Sequence, residues 1–156
     1  MIVEGSTMSA FRGRYYHTID EKGRITFPSK LREVFREKYG QKVVLTNWAE
    51  YVLLIPFDEW KAIEEKTAAH SLVDRQTREF QRYFISGAVD CSFDAQWRLL
   101  IPPELRRHGR LEKEVVLAGM VRTIEIWNRE LFEGNLSQTA MKIDQSSDEI
   151  AGRLGI

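Results

Sequence analysis

The sequence predicts an α+β fold made of two tandem copies of one small β-rich module, joined by helical connectors. Three observations predict it: a 13-residue motif that occurs twice, the same order of strand, turn, strand and short helix around each copy, and a helix-patterned stretch between them. The motif reads Asp20-Glu-Lys-Gly-Arg24-Ile-Thr-Phe-Pro28-Ser-Lys-Leu31-Arg32. It returns 74 residues later as Asp94-Ala-Gln-Trp-Arg98-Leu-Leu-Ile-Pro102-Pro-Glu-Leu105-Arg106. Asp, Arg, Pro, Leu and Arg coincide, and Ile25 and Phe27 become Leu99 and Ile101. Further on, Val43-Val44-Leu45 matches Val115-Val116-Leu117 at a spacing of 72, so two residues are deleted between the matches.

Residues 1–10 carry no patterning and stand apart as an N-terminal extension. The first repeat covers residues 14–60. Tyr15 to Ile19 is a β-rich run, and Asp20 to Gly23 is turn chemistry: an Asp that bonds its own loop amides, then a Gly that tolerates positive φ. Arg24 to Phe27 alternates polar and apolar and is the return strand, with Arg24 and Thr26 on one face. Pro28 ends it. Ser29 caps a short helix through Lys38, with Leu31, Val34 and Phe35 on one face and Gly40 as its stop. Val43 to Thr46 and Val52 to Ile55 are two more strands. The connector covers 61–87, with Asp58 capping a helix over Glu59 to Ala69. A second helix runs from about Asp74 to Ser86, stopped by Gly87. The second repeat covers 88–131: a hairpin of Ala88 to Phe93 and Arg98 to Ile101, a helix over Pro103 to His108 closed by Gly109, and strands at Val115 to Ala118 and Thr123 to Trp127. The tail, 132–156, is polar and weakly patterned, partly helical or disordered. One unit of about 45 residues is too small to bury a core alone. Two copies that exchange or pair strands can close one shared barrel, with a pseudo-two-fold axis relating the two Asp-x-x-x-Arg turns.

Composition narrows the function. The chain has 156 residues and zero formal net charge, which argues against a generic basic coat for nucleic acid. The charge is uneven: Arg12 to Lys42 holds nine Lys/Arg against four acids, whereas Glu130 to Ile156 holds five acids against two bases. No apolar run approaches the ~18–20 residues of a membrane span, and no secretory leader is evident. The single cysteine, Cys91, cannot form an internal disulfide, so a cytoplasmic setting is expected. His17, His70 and His108 are scattered and fit no metal-ligand spacing. Neither a phosphate-cradling Gly-rich loop nor a serine elbow occurs. No cofactor, metal, catalytic residue or small-molecule substrate is therefore expected. A hydrolase could recruit only Cys91 and those histidines, and no constellation supports one. Cys91 reads as core, as do Trp48, Trp60 and Trp127; Phe80, Tyr83 and Phe84 read as core or subunit interface.

An Asp that organises a hairpin and pairs with an Arg is a common structural device. Its repetition, with basic residues around both copies, points to nucleic acid. A guanidinium fork matches guanine O6 and N7, and a two-stranded ribbon fits the major groove of duplex DNA. Arg24 and Arg98 are the candidate base readers, with Asp20 and Asp94 as their acidic partners. Arg14, Lys22, Lys30 and Arg32 are candidate phosphate contacts, which set register without reading sequence. The alternative is an antitoxin-like interaction module that neutralises a protein partner.

The segment Phe11-Arg-Gly-Arg-Tyr-Tyr-His-Thr-Ile-Asp20-Glu-Lys-Gly-Arg24-Ile-Thr-Phe-Pro28 closely resembles the N-terminus of the MraZ family. The second Asp-x-x-x-Arg-Leu-Leu-Ile-Pro and the late Glu125-Ile-Trp127 strengthen the resemblance, which covers about Phe11 to Phe132. That family falls in the AbrB/SpoVT-like swapped-hairpin superfamily, so the resemblance implies a pseudo-two-fold double-split β-barrel. It also implies a bacterial, cytoplasmic, nucleoid-associated regulator of the division and cell-wall gene cluster. Such a regulator would be a ring-like homo-oligomer that binds G-rich direct repeats in promoter DNA and represses. The family's DNA-contacting arginine falls on Arg24, and its second-repeat counterpart on Arg98. One departure is Trp97, where the first repeat has Gly23. A bulky residue disfavours positive φ, so the second turn is expected to take a different shape and contact DNA differently.

Overall fold

The computed structural model describes residues 10–70 and 73–156. The extension expected over residues 1–10 lies, apart from Ala10, outside the described residues. In chain order the first half comprises β1 (Arg14–Thr18), β2 (Arg24–Thr26), α1 (Ser29–Val34), β3 (Lys42–Trp48) and β4 (Tyr51–Pro56). Two connecting helices follow, α2 (Phe57–Ala68) and α3 (Arg75–Phe80). The order then returns as β5 (Val89–Ser92), β6 (Arg98–Leu100), α4 (Pro103–Gly109), β7 (Glu114–Gly119) and β8 (Ile124–Asn128), closed by α5 (Arg129–Leu154). Both α1 and α3 run on into a π-helical turn, over Phe35–Tyr39 and Gln81–Ile85. The class is mixed α+β, as expected.

Six strands form one antiparallel sheet in the order β1-β7-β8-β4-β3-β5, and β2 pairs with β6 as a separate two-stranded ribbon. Each hairpin therefore splits, its first strand joining the large sheet and its second the ribbon. The partners come from the opposite half: β1 pairs with β7, β5 with β3 and β2 with β6. Among the described residues only β3–β4 and β7–β8 are ladders within one half, and β4–β8 joins the two at the centre.

The continuous apolar runs of β3 and β7 follow from burial on both faces. Val43, Leu45, Val115 and Leu117 point into the central core with Ile25, Phe27, Phe35, Phe93, Leu99 and Ile101. Val44 and Ile55 point the other way, against Trp60 of α2 and Phe84 of the turn after α3. Val116 and Ala118 pack under Trp127 and Phe132, where α5 begins. Buried Thr46 donates its hydroxyl proton to the Phe84 carbonyl at 2.7 Å, so the polar group inside β3 is satisfied.

Several local expectations are corrected. Ser29 does not cap α1, and Asp58 does not cap α2. The residues before α1, α2 and α4 are Pro28, Pro56 and Pro102, each with extended ψ and no side-chain cap bond. A proline's fixed φ sets the entry angle, so the strand end itself starts the helix. Asp58 instead lies in the first turn of α2, 3.7 Å from Lys61. Gly109 is not the stop of α4. Arg110 takes the left-handed conformation at φ 54°, while a Cβ on Gly109 would press on Val52 and Leu111 at 3.2 and 3.3 Å. The tail is one helix to Leu154, capped by Asn128 Oδ1 accepting from Leu131 N at 3.0 Å and kinked at Ser146. Cys91 is half-buried against the core, and Trp48 is 39% exposed, over Phe80, Tyr83 and Phe84.

Candidate nucleic-acid interface

Two turns, Asp20–Arg24 and Asp94–Arg98, share one hydrogen-bond pattern. Asp20 Oδ1 accepts from the backbone N–H of Lys22 at 3.0 Å and of Arg24 at 2.8 Å, and Oδ2 accepts from Arg24 Nε at 2.8 Å. Asp94 Oδ1 accepts from Gln96 and Arg98 backbone N–H groups, both at 2.9 Å, and Oδ2 from Arg98 Nε at 2.8 Å. Closing backbone bonds also correspond: Gly23 N–H to Asp20 O at 2.9 Å, and Trp97 N–H to Asp94 O at 3.0 Å. Both carboxyls are held below the ordinary carboxylate range, chiefly by the backbone N–H of the turn's arginine and further by its guanidinium.

The expectation that Trp97 makes the second turn differ is therefore overturned. Trp97 sits at φ 57° where Gly23 sits at φ 88°. Its ring is buried against Phe35 and Phe93, with Arg36 over its face at 5.3 Å. Aromatic burial and this cation–π contact offset the left-handed backbone's cost, on the order of 1–3 kcal/mol. Gly23 is needed for another reason as well: a Cβ there would lie 2.6 Å from Arg106 Cζ.

The two turns are tied to each other's strands by a corresponding pair of backbone bonds. The Gly23 carbonyl accepts from Ile101 N–H at 2.8 Å, and the Trp97 carbonyl from Phe27 N–H at 3.0 Å. Between them the β2–β6 register pairs Arg24 with Leu100, Ile25 with Leu99 and Thr26 with Arg98. Ile25 and Leu99 are fully buried, so Arg24, Thr26, Arg98 and Leu100 form the outer face. Arg24 and Arg98 are diagonal neighbours, about 7–8 Å apart. Their side chains keep 27% and 33% of their surface in solvent, so both guanidinium groups reach the outside. Tethering each Nε to an aspartate leaves the terminal nitrogens to donate elsewhere: Arg98 Nη2 reaches Gln96 Oε1 at 3.2 Å within its own turn, and the N–H groups that remain on both guanidinium groups suit a pair of acceptors such as guanine O6 and N7.

Among the other expected residues, exposed Lys22 stands in the first turn itself. Lys30 is exposed on α1, beside a groove it shares with Arg12, Tyr15 and Glu33. Arg32 is half-buried, and its Nε donates to the Phe27 carbonyl at 2.6 Å, just as Arg106 Nε donates to Ile101 O at 3.0 Å. Each of these arginines ties its helix to the end of a ribbon strand. Arg14 is not brought to the turns. It lies at the far end of β1, about 13 Å of strand from Thr18, with its guanidinium 5.9 Å from the Phe132 ring. Sequence reasoning passed over Gln96, whose Oε1 accepts from Arg98 Nη2 at 3.2 Å. Its signal was alignment of the repeats, which sets it where the first turn has Lys22.

The remaining chemistry is sparse. Burial pushes the Cys91 thiol up to about 11, so it is not a thiolate at neutral pH. Among the described residues no three His, Cys, Asp or Glu gather to hold a metal, and no helix is long and apolar enough to cross a membrane.

Comparison with known proteins matches one family model twice along the chain, over residues 10–83 and 84–154; its description is "MraZ protein, putative antitoxin-like". Relatives named "Transcriptional regulator MraZ" align over nearly the whole length. The protein from Caldanaerobacter subterraneus is 43% identical over 143 residues, 91% of this chain and 94% of that protein. The one from Syntrophobacter fumaroxidans is 42% identical over 88% of each chain. The one from Desulfitobacterium hafniense is 40% identical over 94% of this chain and 99% of that protein. Two tandem matches and identity sustained across the repeats show that this chain belongs to the MraZ family.

Proposed function

We propose that this protein is a sequence-specific DNA-binding transcriptional regulator without enzymatic activity. The observation that carries the reading is the pair of aspartate-tethered guanidinium groups on one outward ribbon face, of a width that enters a major groove. Arg24 and Arg98 read guanine edges, and Asp20 and Asp94 hold them. Lys22, Lys30, Arg32 and Arg14 supply phosphate contacts, with Lys22 nearest the readers. The relatives' names support regulation of transcription. The exchange of hairpins between halves supports a swapped-hairpin, double-split barrel formed by repeats over 14–60 and 88–131, with 61–87 as connector and 132–156 as tail. The target class is the one the family resemblance implies: G-rich direct repeats in the promoter of the division and cell-wall gene cluster, bound as a repressor by a cytoplasmic, nucleoid-associated ring. The molecule's two flanks are unlike, α2 and α3 on one side and α5 on the other. Unlike flanks suit head-to-tail contacts, which close into rings and let many turns bind tandem sites with avidity.

The test is binding of duplex DNA chosen by unbiased selection. Arg24→Ala is expected to lose about 1–3 kcal/mol per contact, amplified by avidity, and wild-type affinity is expected to fall steeply with salt. Full protection of the selected site by Arg24→Ala would defeat the assignment. The protein-interaction reading is favoured by one observation, the excess of exposed acids along α5 and its end, five against two bases from Glu130 to Ile156. Recovery of a stoichiometric protein partner with no selected DNA would establish it instead.

A further inference from the structure

The outer face of the β2–β6 ribbon is symmetric in its arginines and unsymmetric around them. The repeat relates Arg24 to Arg98, Thr26 to Leu100 and Lys22 to Gln96. Antiparallel register sets Leu100 directly across from Arg24, and Thr26 directly across from Arg98. Leu100 is 53% exposed, an aliphatic side chain on a polar face whose packing is already supplied by its buried neighbours Leu99 and Ile101. In the second turn the Arg98–Gln96 bond at 3.2 Å orients a carboxamide beside the guanidinium. The first turn has Lys22 at that place, a point charge with no flat edge for a base.

We infer that Leu100 and Gln96 are specificity determinants that make one chain read a directional, non-palindromic DNA step; this rests on the DNA-binding reading above. Both arginines take guanine. Beside Arg24, Leu100 meets the C5-methyl of a thymine, the one apolar group that the major groove displays. Beside Arg98, the Gln96 amide takes an adenine: Nε2 donates to N7, and the lone pair of Oε1 left over from Arg98 accepts from N6. At the matching places Thr26 offers a hydroxyl and Lys22 a phosphate contact. The internal two-fold axis therefore does not impose a palindrome on the site.

The test is selection from random duplexes with the wild type, Gln96→Lys, Leu100→Thr and the double variant, which carries the first turn's residues at both ends. Wild type is expected to enrich a motif that differs from its own reverse complement. Gln96→Lys should flatten the adenine preference by about tenfold, and the double variant should move toward a palindrome. Replacing the contacted thymine by deoxyuridine, which lacks the methyl, should weaken wild type about fourfold. This arm needs no variant to fold. A selective wild-type motif that the double variant reproduces unchanged, or indifference of wild type to deoxyuridine at every thymine, overturns the inference and leaves the DNA reading standing. No enriched motif for wild type overturns both.

Discussion

Trp97 and Gly23 occupy equivalent places in the two turns with opposite chemistry, and each is held there by what lies behind it. Gly23 makes room for Arg106 at positive φ, so Gly23→Ala should destabilise the fold by about 1–3 kcal/mol through strain and contact. Trp97→Gly relieves a left-handed tryptophan yet empties the space among Phe35, Phe93 and Arg36. Cavity creation of this size costs about 3–5 kcal/mol. That outweighs the backbone relief, so a net loss is expected in urea unfolding; a gain in stability would contradict the packing argument. This balance was not legible in sequence, because the φ rule is local and the offsetting contacts come from other elements. His17 sets a pH dependence. Burial first, then Arg32, lowers its pKa below the ordinary value of 6.5. The unfolded chain takes up a proton near 6.5 that the native state resists, so stability is full above that pH and falls as the solution is acidified through it. Tm measured between pH 7 and 5 should drop less steeply in His17→Gln than in wild type.

The elements with a strong apolar period, β3, β4, β7 and β8, were legible because both sides of the sheet need side chains. Helix starts were not, since Pro28, Pro56 and Pro102 set the entry by backbone angle where a side-chain cap was sought. The tail was hard to read for a related reason. Among the described residues its hydrophobic packing gathers at the start of α5, through Leu131, Phe132 and Leu136, so the remainder shows little of the apolar stripe that marks a buried helix. Its order rests more on propensity than on packing, and glycine should weaken it measurably. A Cβ added at Gly134 or Gly152 meets nothing within 4 Å, and neither has positive φ. Gly134→Ala and Gly152→Ala should each raise stability of α5 by about 0.5–1 kcal/mol. Gly155 caps the helix at φ 75°, so Gly155→Ala should not. Helicity by circular dichroism together with thermal melting separates these outcomes, and equal effects at all three positions would refute the assignment.

For the whole molecule, the repeat and its small size led to a shared barrel with a two-fold relation between the turns, but no local pattern says which strand pairs with which. The observed exchange has a consequence for folding. Each half taken alone would keep a single ladder, β3–β4 or β7–β8, and would lose β1–β7, β2–β6, β3–β5 and β4–β8. Isolated two-stranded ladders are marginal in water, and most of the central core draws side chains from both halves. Residues 10–86 and 87–156, made separately, are therefore expected to lack a folded monomeric state. Mixed at equal concentration, they should recover the strand signature of the intact chain with a concentration-dependent melt. In the intact chain the same coupling predicts one cooperative transition, with Leu99→Ala lowering it by about 2–5 kcal/mol without splitting it. Leu99 is the point where this can be tested most directly, since it faces Ile25 across the ribbon and supports both turns at once. Two separate transitions in Leu99→Ala, one for each half, would mean that the repeats fold independently and that the ribbon joins them only afterwards.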